Sequence, residues 1–227
     1  MYREDIVHKS PSSRFTVREA EIGDAKTLTQ LWYDSYNASS PFWRVMTPDE
    51  PVTRQWWDDV WVMGIEAGPT KIKTFVVEDL ENDKKLVAFT RINVPQADGS
   101  VTGYFMPDYP STWDPRLVEE FWHGMEKARK EVMGQKPHWS GFIGVDHTYE
   151  NNGIAYMFMD LICRQSDASG IEICVDSTDL GKRISSRHFD VQSIREIVVK
   201  YHTEEPGDSE REFKMTVGVR HPRDGKS

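Results

Sequence analysis

Cysteine is nearly absent from this chain of 227 residues: Cys163 and Cys174 are the only two, each inside an apolar segment. A disulfide framework or a zinc site needs more ligands at closer spacing, so no metal is expected and both thiols read as reduced core residues. Long apolar runs are missing too. No stretch approaches the roughly 18 residues that a membrane span requires, which predicts a protein that does not cross a bilayer. Positive charge is scarce: 28 Lys and Arg stand against 37 Asp and Glu, a net charge of −9. That balance opposes nucleic-acid binding, which rests on clustered basic residues, and the pair Lys182-Arg183 does not change it. Residues 1–13 mix both charges with Pro and Ser and lack the apolar stretch of a signal peptide, so a flexible tail and a cytoplasmic location are expected. Internal repeats and low-complexity tracts are absent as well.

An apolar fraction of 38% and a charged fraction of 29% are those of a globular domain, and the length fits one α/β domain. The boundaries expected are a single domain over residues 14–220 and a flexible tail over 221–227. Eight Trp and eight Tyr are a heavy aromatic load, concentrated between positions 32 and 61.

Phe15 and Val17 alternate as in a strand, after which Asp24 is placed to cap a helix with Leu28, Leu31, Trp32 and Tyr36 on one face. Pro41 to Pro51 reads as a loop carrying Phe42 and Trp43, and a second helix runs from Val52 until Gly68-Pro69 stops it. Two β-rich runs, Thr74 to Glu78 and Leu86 to Ile92, are joined by Glu81 to Lys84 in a hairpin pattern. Pro95 to Pro115 reads as a long ordered loop of the kind that covers sites. Leu117, Phe121, Met125, Ala128 and Val132 mark a third helix ended by Gly134.

Trp139 to Val145 then reads as a buried strand, Asp146 to Asn152 as a polar turn, and Gly153 opens a helix through Ile154, Met157, Phe158, Leu161 and Ile162. Strand, turn and helix together present free backbone N–H groups to an anion. Ile171 to Val175 reads as a further buried strand, Asp179 to Arg187 as a short helix, and Ile194 to Tyr201 and Phe213 to Val219 as two final strands.

Over roughly residues 14 to 220 this pattern resembles the GNAT acyltransferase superfamily, and within it the small fungal-type acetyltransferases. In those, Pro-His-Trp leads into a strand ending Val-Asp-Pro-x-Tyr, followed by Gln-Gly-Arg-Gly-x-Gly or Ala. Here the run is Pro137-His138-Trp139, Val145-Asp146-His147-Thr148-Tyr149 and Glu150-Asn151-Asn152-Gly153-Ile154-Ala155. Met46-x-Pro48, Arg54-x-Trp56-Trp57 and the hairpin agree. The resemblance implies a mixed central sheet of six to seven strands flanked by helices, with two strands splayed into a cofactor cleft. It also implies acetyl-CoA as co-substrate, with backbone groups of Ile143, Gly144 and Val145 along the pantetheine arm. The N–H groups of Glu150, Asn151, Asn152, Gly153, Ile154 and Ala155 would lie around the pyrophosphate.

The side chains depart from that pattern. Glu150 stands where the family has Gln or Arg, and Asn152 where it has a basic residue, which removes charge-assisted bonds of about 1.5–3 kcal/mol each. The family's Leu-Tyr-x-x-x-Gly-Phe segment, whose tyrosine protonates the departing thiolate, corresponds to Gly181 through Val191, which holds no tyrosine. One register puts Ser185 at that place and another Ile184, and His188 is the better proton donor nearby. For the base that takes the amine proton, Asp146, His147, Glu78 and His138 are the candidates. Trp32, Tyr36, Phe42 and Trp43 are candidates for substrate contact, core packing being the competing role.

Two functions follow from this reading. One is acetyl-CoA-dependent N-acylation of a small-molecule amine. The other is a GNAT-shaped protein that no longer uses acetyl-CoA and binds or converts a hydrophobic metabolite. A monomer and a homodimer both remain open. The position of Glu150 discriminates: folded over the helix N-terminus it fills the phosphate place, and turned outward it leaves that place free.

Overall fold

The computed structural model describes residues 14–98, 106–203 and 209–223. The elements run β1 (Phe15–Glu19), α1 (Ala25–Trp32), a π-helical segment (Tyr33–Asn37), α2 (Pro41–Met46), α3 (Pro51–Glu66), β2 (Ile72–Asp79) and β3 (Lys85–Asn93). There follow α4 (Pro115–Leu117), a second π-helical segment (Val118–His123), α5 (Gly124–Met133), β4 (Ser140–Val145), α6 (Ile154–Ser169), β5 (Ile173–Ser177), α7 (Asp179–His188), β6 (Gln192–Tyr201) and β7 (Arg211–Arg220).

Among the described residues seven strands form two antiparallel sheets, β1-β2-β3-β4 and β5-β7-β6. Among the described residues a single parallel bridge, Trp139 with Ile173, joins them. Trp139 N donates to Glu172 O at 2.9 Å and Cys174 N to Trp139 O at 2.8 Å. Beyond that point the ladder stops and the two strands part. The expected mixed sheet is thus two sheets hinged at one point.

The hairpin is as its alternation predicts, with β2 and β3 paired from Ile72↔Asn93 to Asp79↔Lys85 around a bulge at Val77/Glu78. Asp79, with no exposed side chain, anchors its turn: Arg14 donates to both carboxylate oxygens at 2.7 and 2.5 Å, and Tyr149 Oη donates at 3.0 Å. The Arg14 hydrogen bonds hold the Asp79 carboxyl down at about 2, against 3.8 when unfolded. A depressed carboxyl stabilises the fold fully above the unfolded value and loses that contribution as pH falls through the folded one. Denaturant titrations are therefore expected to show stability falling between about pH 4 and 2, with Asp79→Asn less stable at pH 7 and flatter over that window. An unchanged acid limb in the variant would remove Asp79 from this role.

Three expectations are corrected. Pro41 to Met46 is a helix rather than a loop, with Pro41 in its first turn, where a missing N–H costs nothing. Phe42 and Trp43 are therefore interior residues, 0% and 5% exposed, and Phe42 stacks on Phe213 at 3.9 Å. Asp24 does not cap α1 through its side chain; its carboxylate takes both Arg18 terminal nitrogens at 2.7 and 3.0 Å. From Pro107 to Trp113 the long loop packs on α3, since Trp56 Nε1 donates to Asp108 O at 3.0 Å and Trp113 Nε1 to Thr53 Oγ1 at 3.0 Å. The remainder of that loop, residues 99–105, and the proposed tail 1–13 lie outside the described residues. The C-terminal tail is tied down as far as Arg223, which pairs with Asp190 at 2.5 Å while its N–H donates to Asp167 at 2.7 Å.

The main core lies between α1, α2, α3 and α5 on one face of the sheets, built around an aromatic column. Tyr36 stacks on Trp32 at 4.1 Å, Trp32 lies 3.7 Å from Trp57, and Trp57 lies 5.9 Å from Trp61. A second apolar layer, under α6 and α7, takes the opposite face. Cys163 and Cys174 are free and buried.

Candidate active site

Side chains alternate along a strand, so the two faces of the parted strands are distinct. Ile143 and Val145 pack with Ile154, Met157 and Phe158 of α6, whereas Phe142 packs with the aromatic core on the other side. Backbone groups alternate likewise. Asp146 N donates to Val87 O at 2.9 Å, which fixes Gly144 and Phe142 as facing β3. Gly141, Ile143 and Val145 then turn their N–H and C=O groups into the opening toward β5.

Gly144 holds the opening's wall in place. A side chain there would drive its Cβ into the Phe89 ring and to 2.7 Å from Ser35 Oγ. With no side chain in the way, the π-helical segment approaches β4, and Tyr36 Oη donates to Ile143 O at 2.7 Å. Burial pushes the Tyr36 phenol up, so it stays a donor at ordinary pH.

On the α6 face the predicted turn is present. Asn151 (φ 64°) and Gly153 (φ 80°) are both left-handed, and Gly153 is the residue from which α6 starts. No side chain caps that terminus and no acidic residue occupies its first turn. Met157 N donates to Gly153 O, so the N–H groups of Ile154, Ala155 and Tyr156 precede the first helical bond. Glu150 is exposed and makes no side-chain bond, so it does not fold over the helix start. Asn152 turns back on the loop, its Nδ2 donating to Tyr149 O at 3.0 Å. Lys182 and Arg183, on α7, carry no ion pair among the described residues, and α7 reaches the first turn of α6 through His188, whose ring stands 5.8 Å from that of Tyr156. An uncapped N-terminus with a left-handed glycine fits a diphosphate, and the unpaired β4 edge fits an amide-bearing arm; acetyl-CoA has both groups.

The candidate side chains are distributed unevenly. Ser185 is buried, its hydroxyl donating to Lys182 O at 3.2 Å, so it does not face the opening; Ile184, in the other register, is the exposed neighbour at 43%. His188 is half-buried on the α6 face. Asp146 caps the turn: it accepts from Thr148 N at 2.9 Å and Oγ1 at 2.7 Å and pairs with Lys85 at 3.0 Å. Burial alone would raise its carboxyl, but the Thr148 and Lys85 bonds outweigh this and hold it below the ordinary range. A carboxylate so committed is a poor base. Glu78 is taken by Arg18 at 2.7 Å, two strands from β4, about 10 Å from the opening. His138 is 5% exposed, donates Nδ1–H to Lys136 O at 2.9 Å, and burial pushes its imidazole down. Trp32, Phe42 and Trp43 offer a ligand no appreciable surface; of the four aromatic candidates only Tyr36 reaches the opening.

At the C-terminal end of β4 lies a hollow of about 410 Å³, bordered by Tyr33, Asp34, Asn37, Arg44, Asp49 and His147. His147 donates Nδ1–H to Asp34 O at 3.0 Å, which leaves Nε2 as the free acceptor of the neutral ring. Asp34 forms no ion pair among the described residues and accepts from Gln30 Nε2 at 2.9 Å, whereas Asp49 is clamped by Arg54 at 2.5 and 2.8 Å. Asn37 is 8% exposed, and its buried Oδ1 has no partner. Sequence reasoning reached His147 but none of the other five. They come from a segment read as ordinary helix and loop, and no spacing signals that they converge. Another hollow, about 590 Å³ between Arg116, Glu120, Lys200, His202 and Glu210, is laced by its own ion pairs at 2.9 and 2.6 Å and lies on the outer side of β6.

No protein-family profile matches the chain, and no curated protein does. Solved structures do match. The C-terminal condensation domain of Ebony in complex with beta-alanyl-dopamine aligns with a TM-score of 0.63 at 15% identity, over 91% of this chain and 98% of that one. A mosquito arylalkylamine N-acetyltransferase-like protein aligns at 0.58 and 12% identity, over 91% and 99%. The yncA protein of Salmonella typhimurium with its cofactor acetyl-CoA aligns at 0.51 and 10% identity, over 95% and 98%. Two sheets hinged at one bridge, with a helix N-terminus and a hollow on either side of the parted strands, together with these alignments, show that the chain has the GNAT fold of the acetyltransferases.

Proposed function

We propose that the protein is an N-acyltransferase that moves an acyl group from acetyl-CoA to a small-molecule amine. The observation that carries this is the uncapped start of α6 on one side of the parted strands and a hollow bearing a free imidazole nitrogen on the other. Neighbours whose names include arylalkylamine N-acetyltransferase and a complex with beta-alanyl-dopamine support an aromatic amine as the acceptor class.

Acetyl-CoA, when bound, supplies an acyl group activated as a thioester. The N–H groups of Gly153, Ile154 and Ala155 would hold its diphosphate, and the inward edge of β4 would take its amide-bearing arm. The Asp34 carboxylate attracts the ammonium form of the acceptor. His147 Nε2 then takes a proton from the ammonium, and the freed nitrogen lone pair attacks the thioester carbonyl carbon, the C–N bond forming as the C–S bond breaks. His188, whose ring lies 5.8 Å from that of Tyr156 in the first turn of α6, would supply the proton to the departing thiolate.

Acetyl-CoA binding by calorimetry, followed by thiol release with arylalkylamines, tests the proposal. Binding in the micromolar range and amine-dependent release are expected, and His147→Ala should lower turnover about 100-fold with acetyl-CoA affinity unchanged. No binding at millimolar acetyl-CoA would leave the second reading, a GNAT-shaped protein acting on a hydrophobic metabolite. One observation favours that reading: the Ile143 carbonyl already has a partner in Tyr36.

A further inference from the structure

β6 ends its sheet, with β7 on one side and no strand on the other among the described residues. It runs for ten residues and carries two exposed aliphatic side chains, Ile194 at 56% and Val198 at 45%. A long edge of this kind is a template for another strand. Arg116 shows how the edge faces: its Nη1 donates to Lys200 O at 3.0 Å, so Lys200 turns its backbone groups away from β7. By alternation Val198 and Glu196 turn theirs outward as well, leaving Ile197 and Val199 to bond β7. Space for a further strand lies beside them, in the hollow of about 590 Å³ that Arg116 and Glu120 border from the other side.

We propose that this edge pairs antiparallel with β6 of a second copy of the chain, about a two-fold axis at Val198. The charges select both the occupant and the register. In a symmetric ladder an axis on Glu196 would oppose two carboxylates, and an axis on Lys200 two ammonium groups, both unfavourable. An axis on Val198 brings the two valines together and sets Glu196 of each copy opposite Lys200 of the other, so the complementary pair occurs twice. Glu196 is exposed and has no ion pair among the described residues, so it is free to take one. Lys200 is held by Glu210 at 2.6 Å, but both side chains are about half exposed, and a surface pair of that kind resists exchange weakly. Arg116 yields Lys200 O to the N–H of the incoming Glu196 and keeps its bond to Glu120 at 2.9 Å. The β5-β7-β6 sheets of the two copies then form one continuous sheet.

The proposal stands apart from the acyl-transfer reading, and its test needs no acyl donor. Sedimentation of the full chain over the micromolar range is compared with that of Glu196→Lys, Lys200→Glu and the two combined. The unaltered chain is expected to sediment with the mass of two chains. Each single variant opposes like charges twice and should weaken association about 10-fold or more, whereas the double variant exchanges the two charges and should restore it. A single chain throughout the range overturns the proposal. So does a pair that the single variants leave unchanged, since the contact would then lie elsewhere, and so does a double variant that fails to recover, since the register would be wrong. If a charge variant does not fold, Val198→Asp takes its place: it puts two carboxylates on the axis, and undiminished association there overturns the proposal equally.

Discussion

Gly153→Val is expected to lower affinity for acetyl-CoA by about 100-fold or more, since each charge-assisted hydrogen bond lost costs about 1.5–3 kcal/mol and at least two depend on this residue's conformation. Gly153 sits at φ 80°, where a β-branched side chain collides with its own backbone. Valine would pull the residue out of the left-handed region and turn the N–H groups of Ile154 and Ala155 away from a shared focus. Gly153→Asn is the control, because asparagine tolerates this region better than other side chains. Calorimetry of the three proteins decides. Equal affinity in all of them would mean that the start of α6 holds no phosphate, and the donor site would have to be sought elsewhere.

Trp57→Ala should destabilise the protein by about 3–5 kcal/mol in denaturant unfolding. Trp57 is fully buried, lies 3.7 Å from Trp32 and 4.9 Å from Trp56, and its indole N–H has no partner. Its removal thus forfeits packing alone and leaves a cavity beneath Trp32, on which Tyr36 stacks. A loss below about 1 kcal/mol would mean that the column is not packed as core. The same experiment bears on the site, because Tyr36 would lose the platform that directs its hydroxyl at Ile143.

Much of the secondary structure was legible because it follows from local spacing. The apolar period along α3, α5 and α6, the hairpin between β2 and β3, and the turn into Gly153 are each set by residues within a few positions of one another. The proposed donor half of the site is of this kind. Main-chain N–H groups at a helix start need only a strand, a turn and a glycine in order, and that order can be read directly from Val145 to Ala155.

The misreadings share one cause. Pro41 to Pro51 looked like a loop because two prolines bound it, yet Pro41 is also suited to a helix's first turn, and the burial of Phe42 against Phe213 settles which applies. Asp146 and Glu78 looked like candidate bases until Lys85 and Arg18, 61 and 60 residues distant in the chain, proved to hold them. Ser185 and Ile184 were interchangeable in the sequence; only the packing of α7 sends one inward and the other out.

By itself, then, the sequence determined an α/β chain with little cysteine, no long apolar run, an excess of acid, and an anion-suited turn at Gly153, because composition and short-range periodicity carry those properties. Tertiary structure alone decided that the two sheets part after Trp139, that the aromatics of α1 and α2 are core, that Asp34, Asn37 and His147 meet at the end of β4, and that Tyr36 bonds Ile143. Those facts depend on contacts across as many as 107 residues, as between Tyr36 and Ile143, and no local rule encodes such a pairing.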